Sequence, residues 1–66
     1  MKITIENKST KTTTVFNFDN LLKVVYIDGE KYNQTKYKNL EAMQHAVDID
    51  ENRCIKRGFD YTKTIK

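Results

Sequence analysis

Hydrophobic and polar positions alternate along the first half of the chain and change to a helical spacing after Asn39. Residues 1–6 place Ile3 and Ile5 on one face and Lys2, Thr4 and Glu6 on the other, which predicts a strand. Residues 7–11 are all polar and predict a turn. Residues 12–18 (TTTVFNF) are dense in β-formers, with Thr14, Phe16 and Phe18 on one face and Thr13, Val15 and Asn17 on the other. Asp19 and Asn20 supply a second turn.

Residues 21–37 carry the strongest local signal. An apolar run meets Asp28 and Gly29, a pair that tolerates the positive φ angles of a two-residue type I′ turn. The predicted hairpin has a definite register: Ile27 opposite Glu30, Tyr26 opposite Lys31, Val25 opposite Tyr32, Val24 opposite Asn33, Lys23 opposite Gln34 and Leu22 opposite Thr35. Alternation puts Lys23, Val25, Ile27, Tyr32 and Gln34 on one face. Leu22, Val24, Tyr26, Lys31, Asn33 and Thr35 take the other. The first strand is apolar on both faces, which predicts a central strand beside a more exposed one.

Asn39 has the chemistry of a helix N-cap, and Leu40, Met43, Ala46 and Val47 recur behind it as an apolar stripe. Two continuations are open. Asp48 and Glu51 can form a capping box for a second short helix, or one helix can run from Leu40 to about Arg57 with Cys54 extending the stripe. Gly58 is the natural stop in both. Phe59, Tyr61 and Ile65 leave a C-terminal edge strand open. The expected fold is therefore α+β, an antiparallel four-stranded β-meander followed by one helix, in a single domain over residues 1–66.

A chain of 66 residues buries only roughly 60% of its unfolded surface, so its core is small. Self-association is a common remedy for a small core, and a homodimer is expected. Cys54 is the only cysteine and excludes an intrachain disulfide framework. With no apolar run long enough for a signal peptide or a membrane span, a cytoplasmic setting is expected.

The net charge of +3, from 12 basic and 9 acidic residues, is unevenly spread. Residues 31–38 hold Lys31, Lys36 and Lys38 with no acid. Residues 39–52 hold Glu41, Asp48, Asp50 and Glu51 with no Lys or Arg. Residues 53–66 are again mainly basic, with Arg53, Lys56 and Arg57 close together.

Catalytic and metal chemistry find little support. Residues 48–52 begin like a calcium loop, yet Arg53 and Phe59 stand where glycine and a bidentate glutamate are needed. His45 and Cys54, one of each, cannot complete a zinc site alone. The two glycines both have structural explanations, so no phosphate-cradling loop exists. A domain this small offers little room for an enclosed cleft; no enzyme, cofactor or small-molecule substrate is expected.

Two binding functions remain. Lys31, Tyr32, Lys36, Tyr37 and Lys38, with Arg53, Lys56 and Arg57, combine cations for phosphates with aromatics for bases and predict a nucleic-acid interface. Alternatively Glu41, Asp48, Asp50 and Glu51 form the contact of a protein-binding inhibitor or adaptor, for example one that blocks a host defence nuclease. The small size and the Lys-, Asn- and Thr-rich composition suit an accessory protein of a phage or mobile element.

Overall fold

The computed structural model describes residues 1–34 and 36–66. Its elements are β1 (Lys2–Asn7), β2 (Thr12–Asp19), β3 (Val24–Ile27), β4 (Glu30–Lys31), α1 (Leu40–Arg57) and β5 (Tyr61–Ile65). The strands form one antiparallel sheet in the order β4-β3-β2-β1-β5. The first four make the expected meander, after which α1 crosses one face and returns the chain to the far edge. The fold is α+β, and no helix is long and apolar enough to cross a membrane.

Register sorts the strand residues as alternation predicts. Ile3 pairs with Phe16 and Phe16 with Ile27, while Phe18 pairs with Val25. All five side chains therefore share the face beneath α1, and Ile3, Ile5, Phe16, Phe18 and Val25 are buried there against Ala42, Met43, Ala46 and Val47. Val47 is wholly inaccessible and Met43 nearly so. Leu40, expected in the stripe, is instead 51% exposed at the rim, and Ala42 takes its place. The helix sits over β1 and β2, and a small residue at 42 permits that close approach.

α1 is one continuous helix, so the two-helix alternative is corrected. Nothing between Asp48 and Arg57 breaks it: Asp48, the would-be N-cap of a second helix, accepts from Gln44 along the helix, and Asp50 pairs with Arg53. Cys54 lies two turns beyond Val47 and is buried like it. The end is set by Gly58 in the left-handed region at φ 68. Its N–H bonds the Ile55 carbonyl, and the Phe59 N–H bonds that of Cys54, a complete Schellman motif. Asn39 does occupy the N-cap position, but at φ 57 its side chain makes no capping bond. Its carbonyl receives the Ala42 and Met43 N–H groups instead.

The hairpin turn is as expected. Asp28 and Gly29 have φ 52 and 84, both positive as a type I′ turn requires. Asp28 also reaches back to β2, where its carboxylate accepts the Val15 N–H at 2.8 Å. The arms, however, are shorter than the alternation implies. β3 starts at Val24 and β4 ends at Lys31, with only the Tyr32 N–H still bonding Val25 beyond them. The Val24–Asn33 and Lys23–Gln34 pairs do not form, and the expected Leu22–Thr35 pair involves Thr35, outside the described residues.

A competing local structure takes the upstream residues. The Asp19 carboxylate accepts the N–H groups of Leu21 and Leu22 at 2.9 and 3.0 Å, and Lys23 closes the loop at φ 56. Leu21 and Leu22 are left 94% and 65% exposed.

Gly29 supplies the first test. A Cβ there would meet nothing within 4 Å, so any penalty comes from the backbone alone. Gly29→Val should cost more than about 1 kcal/mol, because a β-branched residue resists positive φ. Gly29→Asn, which tolerates that region, should cost less. Equal melting midpoints for the two variants would remove the turn as the determinant.

Candidate nucleic-acid interface

Beyond β4 the chain leaves the sheet before α1 begins at Leu40. Gln34 organises this segment. Its Oε1 accepts the Tyr37 N–H at 2.7 Å, and its Nε2 donates to the Tyr37 carbonyl. A cleft of about 370 Å³ opens between this segment, β3 and the start of α1. Lys23, Lys31 and Lys38 line it together with Asn33, Gln34 and Asn39, and no acidic residue does.

Tyr32 and Tyr37 line the same cleft, because the chain has left the sheet and alternation no longer separates them. Both are half-buried and packed against the core. The Tyr37 ring lies against His45 with centroids 4.4 Å apart, and Lys36 Nζ stands 5.6 Å from its centroid. The two rings are thus walls of the cleft, already engaged within the fold.

Lys31 also borders the sheet face that α1 leaves uncovered. Register sets Lys31 beside Tyr26, Tyr26 beside Asn17 and Asn17 beside Lys2 in a single row. Lys66 extends it through two backbone bonds to Lys2, at 3.0 and 2.8 Å. At the usual strand spacing the row spans about 19 Å. Tyr26 is half-buried, while Lys31, Asn17, Lys2 and Lys66 are exposed.

The other basic residues lie elsewhere. Arg53 and Arg57 line a second cleft of about 390 Å³ with Asn7, Thr10, Thr12 and Thr14, near the β1–β2 turn. Arg53 is held there by Asp50. Lys36 and Lys56 are exposed and line neither cleft. The structure therefore joins Lys31, Tyr32, Tyr37 and Lys38, adds Lys23, and separates the arginines from them. Alternation places Lys23 in a strand, whereas the loop before β3 brings it to the same cleft as Lys31 and Lys38. Tyr26 shares a face with Lys31 already in the hairpin register; Asn17, Lys2 and Lys66 join them only once the strand order is known.

The acidic residues are largely matched within the fold. Besides the bonds of Asp48 and Asp50, Glu51 accepts from the Tyr61 hydroxyl at 3.0 Å and from Lys63 Nζ at 3.2 Å. Glu41 is exposed in the first turn of α1, where the helix dipole favours a negative charge. Cys54 is buried, and its Sγ lies 3.8 Å from Asn7 Nδ2. Among the described residues no three His, Cys, Asp or Glu side chains gather as a metal site. No family model, curated protein or solved structure matches the chain.

The bond to Glu51 raises the Tyr61 phenol above its ordinary value, with burial, the charge of Glu51 and Cys54 adding to it. A raised acid favours the neutral phenol in the fold. The stabilisation is therefore complete below pH 10.0 and is lost as pH rises through the higher folded value. Of the four tyrosines, one should ionise late in a tyrosinate absorbance titration, and Tyr61→Phe should abolish that late phase. A late phase that survives Tyr61→Phe would remove Glu51 as its cause.

Proposed function

We propose that this protein is a non-enzymatic binder of single-stranded nucleic acid. The observation that carries the reading is the cleft in which Lys23, Lys31 and Lys38 converge without an acid in the lining. Ammonium groups so placed suit successive phosphates, and the neighbouring Asn and Gln amides suit sugar or base edges. Lys31 leads from the cleft onto the open face, where Tyr26 offers a ring beside Asn17 and Lys2. A strand of a few nucleotides would lay its backbone along the lysines and stack a base on Tyr26. The reading favours a single strand because the cleft is too small for a duplex but admits one backbone.

The acidic alternative has less behind it. Asp48, Asp50 and Glu51 each already bond a residue of this chain, and only Glu41 is left to offer a partner.

Salt dependence is the test. Binding to an oligonucleotide should weaken steeply as salt rises, because phosphate contacts release condensed counterions. The triple change Lys23→Gln, Lys31→Gln, Lys38→Gln should weaken binding and flatten the log–log salt slope by about 2, near 0.7 for each lost contact on a single strand. Lys36→Gln should change the slope less. Tyr26→Ala should cost about 1–3 kcal/mol of affinity with the slope unchanged. If no oligonucleotide binds better than about 100 μM at low salt, weaker than ordinary non-specific association, the proposal is wrong.

A further inference from the structure

β5 closes the sheet on one side only. Lys66 and Lys2 exchange two backbone bonds, and Lys8 donates to the Asp60 carbonyl at 2.7 Å. Along this ladder the even-numbered residues of β5 turn their backbone groups toward β1. The odd-numbered ones, Tyr61, Lys63 and Ile65, must point theirs outward. Among the described residues these outer N–H and C=O groups have no backbone partner. The opposite edge, β4, is only two residues long, whereas β5 presents five in extended form with no proline or bulge.

We infer that β5 is a pairing edge for a second copy of this chain, joined antiparallel through a two-fold axis at Thr62. Symmetry of this kind makes one strand its own complement. Centring on Thr62 sets Tyr61 opposite Lys63 of the second copy, on the same face as α1. Glu51 already accepts from both of those residues within its own chain. Across the axis, each Lys63 therefore stands beside a Tyr61 that is bonded to the other copy's Glu51, which joins two cations and two carboxylates in one network. Centring on Lys63 would instead oppose two like charges. The Thr62 axis also lays Ile65, 57% exposed, beside Phe59 of the second copy.

The full chain should scatter light at tens of micromolar with twice the mass of 7.8 kDa. Lys63→Pro should give a monomer that keeps its circular dichroism, because the lost N–H points away from β1. Thr62→Cys should cross-link two chains on oxidation, since residues facing each other at the axis approach within disulfide reach. Thr64→Cys should not. A monomeric mass for the unaltered chain overturns the proposal, as does a dimer that persists in Lys63→Pro. Cross-linking by Thr64→Cys in place of Thr62→Cys overturns the axis. None of the three β5 positions lines the lysine cleft, so oligonucleotide binding by the monomeric variant would separate this result from the nucleic-acid reading.

Discussion

A single helix has to cover the apolar face of a five-stranded sheet, and most of the structure follows from that shortage. Among the described residues, nine buried side chains from four elements make the core cluster. Ala42 and Ala46 let α1 lie close to β1 and β2, so Met43 and Val47 reach the layer of Ile3, Ile5, Phe16, Phe18 and Val25. One helix is too narrow to cover the margins as well. Leu40, Ile55 and Ile65 remain more than half exposed around it, and the opposite sheet face carries Lys, Thr and Asn with Glu6, Val15, Val24 and Tyr26. The surface available for binding is what a small core cannot bury.

The loops between strands place charge. β1–β2 and β2–β3 use the same device, an Asx residue at the strand end followed four positions later by a left-handed lysine. Asn7 Oδ1 accepts the Ser9 and Thr10 N–H groups, as Asp19 does for Leu21 and Leu22. Lys11 and Lys23 then take φ 59 and 56, and the next strand begins at once. A non-glycine residue in that region costs roughly 1–2 kcal/mol, offset here by the side-chain bonds that satisfy the turn. In the second loop the same twist puts Lys23 at the mouth of the lysine cleft. A turn geometry thus supplies one third of the cationic lining on which the proposed binding rests.

Charges of opposite sign are used differently. Asp48, Asp50 and Glu51 of α1 bond Gln44, Arg53, Tyr61 and Lys63, and so act as ties between helix and sheet edge or along the helix. Lys23, Lys31 and Lys38 are exposed, and among the described residues they form no ion pair. This division explains how a chain of modest net charge can present a cleft whose charged lining residues are all lysines. It also leaves the nucleic-acid proposal resting on local placement of charge, with the total playing little part.

Local rules were legible in the sequence. The type I′ turn at Asp28 and Gly29, the faces of β1 and β2, and the stop at Gly58 each depend on a few adjacent φ preferences or on a period of two, and residues within one element carry that information. Other features depend on competition between distant groups. Asp19 took the N–H groups of Leu21 and Leu22 and shortened the hairpin. Burial of Val47 and Cys54 on one line kept α1 whole past the acids at 48 and 51. β5 found β1, far off in the chain, where even the nearest partner pair is Asn7 with Tyr61, and so became an edge with its odd-numbered backbone groups outward. Tyr32 and Tyr37 share a cleft with Lys23 because the chain leaves the sheet after Lys31, and alternation has no authority outside a strand. The sequence determined the elements and their faces, since those are set by neighbours in the chain; only the tertiary structure decided where strands end and which side chains meet, since those are set by neighbours in space.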